Sequence, residues 1–215
     1  MKAVFEQNMR RTYDILNRTA SPSADDIPIA PVDIFPWGNS SAKDDYRPQT
    51  VAVMTADGAA LHVFMKTDER EIRAEECDFS ANVYTDSCME LFLLPDPVHS
   101  SQYLNWEFNP AGAMYLSLGT GRYDREDIAL ENYPAFFQVK IRENADGWTL
   151  EYRIPFDFLR RYFPAFEPRA GQVMRGNFYK CGDKTARPHY GCWSPIDLPK
   201  PDFHCSGFFG DLLFK

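Results

Sequence analysis

The sequence predicts an all-β fold, an antiparallel two-sheet β-sandwich with one or two short helices, and three observations predict it. Apolar and polar residues alternate with period two over many short runs, the pattern of strands with one buried face. Turn-forming residues bound those runs at short intervals, as they do between the strands of a sandwich. Aromatic residues make up 15% of the 215 positions, and Phe and Tyr favour strands. An all-β chain of this length commonly forms one domain, read here as an N-terminal helix or extension over 1–29 and a sandwich over 30–215.

The elements follow in order along the chain. Residues 6–17 read as a short helix. Residues 18–50 are rich in Ser, Pro and Asp and contain PVDIFPWG, which reads as loop with one edge strand. RPQTVAVMT and ALHVFMKT, joined by a turn at Asp57-Gly58, form a hairpin. After a charged loop come the strands DSCMELFLL, SQYLNWEFN and GAMYLSLG. PAFFQVKI and WTLEYRI flank a turn near Asp146-Gly147. PFDFLRRYF reads as a brief helix. QVMRGNFYKC, a loop holding CWSP, and the closing FFGDLLFK bring the count to about ten strands.

Composition narrows the function. The net charge is −8 and the pI near 5, with no Lys/Arg-rich stripe. Nucleic acid is therefore not an expected partner, because its binding depends on neutralising phosphates. An anionic membrane surface is not expected on the same ground, and no apolar run reaches the roughly 18 residues of a membrane span. MKAVFEQNMRRTYDIL lacks the basic-then-apolar pattern of a secretory signal. The five cysteines (Cys77, Cys88, Cys181, Cys192 and Cys205) form no CxxC pair, so free thiols are expected. Both features lean towards a soluble, cytoplasmic protein, with an extracytoplasmic place open to a mature form.

Strand alternation sorts the candidate site residues. Over 103–109, Leu104, Trp106 and Phe108 oppose Tyr103, Asn105, Glu107 and Asn109. Over 86–94, Ser87, Met89, Leu91 and Leu93 oppose Cys88, Glu90 and Phe92. Over 173–181, Met174, Gly176 and Phe178 oppose Val173, Arg175, Asn177 and Tyr179. Three strands thus carry faces of carboxylate, amide, guanidinium and phenol groups. Glu accepts hydrogen bonds, Arg donates them and Asn does both, a set suited to a ligand covered in hydroxyls. The same pattern also describes an ordinary solvated face of a half-wet sheet.

TDSCMELFLLP resembles the D-S-V-E-hydrophobic-F segment of family 9 carbohydrate-binding modules. CWSPIDLPKPDFHCSGFFGDLLFK is similar to that family's C-terminal ending, and YLNWEFNPAGAMY and RGNFYK fit its free-standing bacterial members. The likeness covers roughly residues 30–215. It implies an immunoglobulin- or DOMON-like sandwich that binds a mono- or oligosaccharide end without cutting it, in association with polysaccharide breakdown. Carried over by position, Glu90, Asn105, Glu107 and Asn177 hydrogen-bond hydroxyls, and Tyr179 sits beside them. Phe203 falls where the family has one sandwiching tryptophan. The other tryptophan is replaced here by NVYTDS, which leaves Tyr84 as the nearest aromatic. Arg175 is expected to pair with Glu90 or Glu107, and His204 to touch ligand beside Phe203. Phe203→Ala is expected to weaken binding at little cost in stability.

Several alternatives accompany this reading. Glu90 and Glu107 can be the carboxyl pair of a glycoside hydrolase. A sugar site that has lost its tryptophan can serve as a protein-interaction module. Haem would need an axial pair such as Met89 with His62. No cofactor is expected. Some of the family hold structural calcium, which stays open although the sequence has no EF-hand-like ligand run. Trp106 and Trp148 read as core, Trp193 as core or loop packing, and Trp37 as either packing or reaching ligand. The identity of the sugar and the oligomeric state are not fixed by the sequence.

Overall fold

Asp57 closes the first hairpin by accepting hydrogen bonds at Oδ1 from the amides of Ala59 (2.7 Å) and Ala60 (2.9 Å). This Asx-type turn sets the register of β3 (Thr50–Ala56) against β4 (Ala60–Thr67), with Thr50 opposite Thr67 and Ala56 opposite Leu61. The computed structural model describes residues 10–20, 22–37 and 45–215. Its other strands are β1 (Thr12–Asn17), β2 (Ala30–Pro31), β5 (Cys88–Leu94), β6 (Tyr103–Phe108), β7 (Met114–Gly121), β8 (Asp124–Asp127), β9 (Lys140–Asn144), β10 (Gly147–Pro155), β11 (Val173–Cys181), β12 (Tyr190–Cys192) and β13 (Gly210–Phe214). Two short α-helices, Tyr133–Phe136 and Phe156–Tyr162, complete the α and β elements among the described residues. None of the helices is long and apolar enough to cross a membrane.

The expected pair of separate antiparallel sheets is instead one curled, mixed sheet. Its strand order is β8-β7-β6-β5-β11-β13-β1-β3-β4-β10-β9, with β12 beside β11 and β2 beside β3. β1 makes the join. Thr12–Ile15 runs parallel to Asp211–Phe214 of β13, and Leu16–Asn17 runs parallel to Thr55–Ala56 of β3. Both halves contribute to a single buried cluster, in which Trp106 packs on Phe137 and Phe158, and Phe108 on Tyr152.

The helix expected over 6–17 is a strand from Thr12 onward, and residues 6–9 lie outside the described residues. Tyr13 and Ile15 are buried on one face, the period of a strand. The Tyr13 hydroxyl donates to Pro28 O (2.7 Å) and accepts from Met54 N (2.9 Å). PAFFQVKI is also not strand throughout. Asn132 caps a helical turn by accepting from Ala135 N, and Pro134 occupies its first turn, so pairing starts only at Lys140.

β5 and β6 are buried on both faces. Met89, Leu91 and Leu93 enter the core, while the opposite, polar face is covered by the long segment between β12 and β13. Two buried polar clusters brace these strands. Asp86 is fully buried and accepts from Arg73 Nη1 (3.0 Å), from the amides of Glu75 and Glu76 (each 2.9 Å) and from Asn109 Nδ2 (2.8 Å). On the other side, Lys180 Nζ meets Glu69 Oε2 at 2.8 Å and His189 Nε2 at 2.8 Å, all three buried. Burial, followed by the charge of Lys180, pushes the His189 pKa down to about 2. The ring is therefore neutral, and its 3.8 Å approach to Glu69 is not an ion pair.

Candidate functional site

Strand register brings the polar residues into a row. Tyr179 of β11 lies opposite Glu90 of β5, and Glu90 lies opposite Glu107 of β6. Glu90, Glu107 and Cys181 help to line a cavity of about 430 Å³, within the roughly 300–1,000 Å³ range of small-molecule sites. Asn105 Nδ2 donates to Glu107 Oε1 (2.8 Å), and Asn105 Oδ1 accepts from Ser117 Oγ (2.5 Å). Glu107 Oε2 is buried without a hydrogen-bond partner. Cys181 Sγ donates to Glu90 Oε1 at 2.8 Å. Burial pushes the Glu90 carboxyl up to about 7, against the pull of the Cys181 hydrogen bond. Glu107 is raised well above the usual carboxylate range, first by burial and then by the charge of Glu90. Near neutral pH the pair therefore retains a proton.

The segment between β12 and β13 forms the opposing wall. Phe203 lies flat on Tyr179, with ring centroids 4.0 Å apart and planes 9° from parallel. Trp37 backs Phe203 at 5.9 Å and anchors itself through Nε1 to Leu198 O (2.7 Å). The β7–β8 hairpin grips this segment. Arg122 Nη2 donates to Pro201 O (3.0 Å) and Asp202 Oδ1 (3.1 Å). Arg125 Nη1 lies 2.6 Å from His204 Nε2, and the Tyr103 hydroxyl lies 2.9 Å from Nδ1. Burial, then Arg125 and Arg122, push the His204 pKa down to about 3. A neutral ring assigned with Nδ1–H towards Tyr103 leaves Nε2 to accept from Arg125.

Of the residues singled out in the sequence, Tyr84, Glu90, Glu107, Phe203 and His204 line the cavity. Asn105 and Tyr179 are buried beneath it and position Glu107 and Phe203. Two residues stand elsewhere. Asn177 donates from Nδ2 to Ser194 O (2.9 Å) and accepts at Oδ1 from Ser194 N (2.8 Å), so its amide holds the CWSP loop. Arg175 does not pair with Glu90 or Glu107. It lies near the start of β11, about 20 Å from Cys181 at ~3.3 Å per residue, and its Nε is 3.4 Å from Asp211 Oδ1. Phe203 is only 9% exposed, so it offers the cavity little open ring surface. Met89 faces the core, and His62 on β4 is held 2.6 Å from Asp57, so these two do not converge as an axial haem pair.

The sequence reading missed Arg122, Tyr123, Arg125, Asp183 and Tyr190, all of which line the cavity. A signal for the first three existed. In GTGRYDRED an aromatic residue stands among charges at a hairpin tip, where packing does not require it, and Tyr123 is 96% exposed. Asp183 and Tyr190 flank an irregular loop and carry no comparable pattern.

Residues 22–214 match the model of carbohydrate-binding family 9, a span that contains every cavity residue. The chain belongs to carbohydrate-binding family 9. Its fold is similar to that of a Bacteroides uniformis protein assigned a carbohydrate-binding role, at 28% identity and a TM-score of 0.77, over 96% of this chain and 100% of that one. It is also similar to a family 9 module of Caldicellulosiruptor kristjanssonii, at 16% identity and a TM-score of 0.64. That module was solved with cellotriose (95% of this chain, 94% of that one) and with glucose (95% and 96%). No curated protein matches the chain.

Proposed function

We propose that the cavity holds the end of a gluco-oligosaccharide, one or two rings deep, without cleaving it, and that the protein serves polysaccharide breakdown by binding. One observation carries the reading: in a family 9 chain, the buried Glu90–Glu107 row floors a cavity whose exposed aromatics are Tyr84 and Tyr123. The carboxyl groups take sugar hydroxyls, Arg122 and Arg125 donate to ring or hydroxyl oxygens, and the tyrosines cover the weakly polar C–H faces of the ring. Relatives solved with glucose and cellotriose support a glucose-configured ligand. A hydrolase sets its two carboxyls on either side of the scissile bond. Glu90 and Glu107 lie directly opposite each other on neighbouring strands, which places both on one wall.

Calorimetric titration with glucose and with cello-, xylo- and manno-oligosaccharides, alongside a reducing-end assay, tests the reading. Saturable binding of gluco-oligosaccharides without release of new ends is expected. Glu107→Gln should weaken it roughly 2- to 10-fold, the scale of a hydrogen bond between neutral groups. Tyr84→Ala and Tyr123→Ala should each weaken it roughly fivefold, the scale of one aromatic contact. Silence on every sugar, or affinity unmoved by all three changes, would refute the proposal. Cleavage would make the carboxyl pair catalytic.

A further inference from the structure

The cavity floor holds two buried thiols that sugar binding does not need. Cys88 and Cys181 lie directly opposite each other on β5 and β11. Their sulfurs and a Glu90 carboxylate oxygen all lie within 4.8 Å of one another, and all three residues are buried. Glu107, opposite Glu90 on the next strand, has a buried Oε2 with no hydrogen-bond partner. Two thiols and one carboxyl thus converge, Glu107 stands on the neighbouring strand with an oxygen that lacks a partner, and Glu90, Glu107 and Cys181 open onto a cavity that gives access from solvent.

We propose that Cys88, Cys181, Glu90 and Glu107 form a zinc site at the base of this cavity. Thiolates select zinc and other soft metals over calcium or magnesium, which take all-oxygen shells. Four ligands of S₂O₂ type suit the tetrahedral preference of Zn²⁺. Binding replaces protons. Each thiol loses one to buffer as its sulfur ligates the ion, so uptake releases acid and weakens as pH falls. Arg125, whose charge both carboxyls feel, offsets the excess negative charge of the loaded site. The remaining cysteines are separate: Cys77 is exposed, Cys205 is half-buried, and Cys192 is buried elsewhere on β12.

The proposal does not depend on sugar binding, and its probe is the metal alone. The full chain carrying Cys77→Ser and Cys205→Ser is titrated with Co²⁺ and then Zn²⁺. Uptake of one Co²⁺ per chain is expected, with the visible bands of a tetrahedral ion and a thiolate-to-metal charge-transfer band. Zn²⁺ should displace the cobalt. In Cys88→Ala and in Cys181→Ala the charge-transfer band should fall by half or vanish. Affinity should fall by more than the roughly 10- to 100-fold that loss of an outer-sphere partner costs. Metal-free melting curves verify folding, and Cys→Ser replaces any Ala variant that fails to fold. Glu107→Gln supplies a readout free of thiols, since it should weaken the ion and leave the charge-transfer intensity per bound cobalt unchanged. No stoichiometric uptake, or uptake with a full thiolate band in both cysteine variants, would overturn the site.

Discussion

Glu90 offers a direct measure of how dry the cavity floor is. In the unfolded chain its carboxyl has an ordinary pKa of 4.5, whereas burial raises it to about 7 in the fold. Below pH 4.5 the group is protonated in both states and costs the fold nothing. Between 4.5 and 7 the unfolded chain gives up the proton while the folded one keeps it, so stability falls as pH rises. Above 7 the loss is complete, at about 3 kcal/mol for this change at roughly 1.4 kcal/mol per pH unit. Glu90→Gln mimics the protonated carboxyl and still accepts from Cys181. It should leave stability unchanged near pH 4.5 and raise it by about 3 kcal/mol at pH 8, some 10 °C in Tm for a chain of this size. The comparison must be a difference between variant and parent. His189 and His204, whose pKa values are pushed down to about 2 and about 3, contribute the opposite slope below their unfolded value near 6.5. Denaturant unfolding in the presence of a chelator, from pH 4.5 to 8, is the assay. A gap between Glu90→Gln and parent that does not widen with pH would show that water or a counter-charge reaches the carboxyl, and the account of the floor would fail.

Three further outcomes follow from packing. Phe203→Ala should cost about 3–5 kcal/mol of stability, because the ring is held between Tyr179 and Trp37. This reverses the small loss expected from sequence, and the midpoint of denaturant unfolding measures it. Lys180→Met should destabilise by about 3–5 kcal/mol by leaving Glu69 charged and unpaired, and Glu69→Gln added to it should restore most of the loss in a double-mutant cycle. Gly210→Ala should cost at least about 1–3 kcal/mol, since its Cβ would stand 2.3 Å from Trp193 Cζ3 and 2.8 Å from Arg11 O. A melting temperature equal to that of the parent would contradict that packing.

Much of the sheet was legible because period two survives wherever one face is apolar. Leu104, Trp106 and Phe108 could be assigned to the core from alternation alone. The mixed topology was not legible. TYDILN has apolar residues that fit one turn of helix as well as one edge of a strand, and only pairing with β13 and β3 decides between them. Glu90 and Glu107 could be placed on one face from the pattern, but no pattern says that a loop far along the chain covers that face. For the same reason the pattern could not show that Asn177 and Arg175 stand outside the cavity lining. Both share the face of Tyr179, yet one is claimed by the Ser194 backbone and the other stands at the far end of β11 beside Asp211. Face periodicity gives direction but not position along a strand or neighbours from distant sequence.

The way the cavity is fixed bears on how it binds. Its wall is a segment without regular strand, yet both ends of the β7–β8 hairpin hold it, through Arg122 on Pro201 and Asp202 and through Arg125 on His204. Asn105 is locked by Ser117 and so fixes one oxygen of Glu107. A ligand therefore meets groups already oriented, and little side-chain freedom remains to be lost on binding. Tyr84 and Tyr123 are the contrasting part, exposed and without such bracing. Under the proposed function, the floor would set which hydroxyl pattern is accepted, while the two tyrosines would set how tightly a ring is held. Changes at Glu107 should alter the ranking of sugars, whereas changes at Tyr84 and Tyr123 should weaken all of them by a common factor.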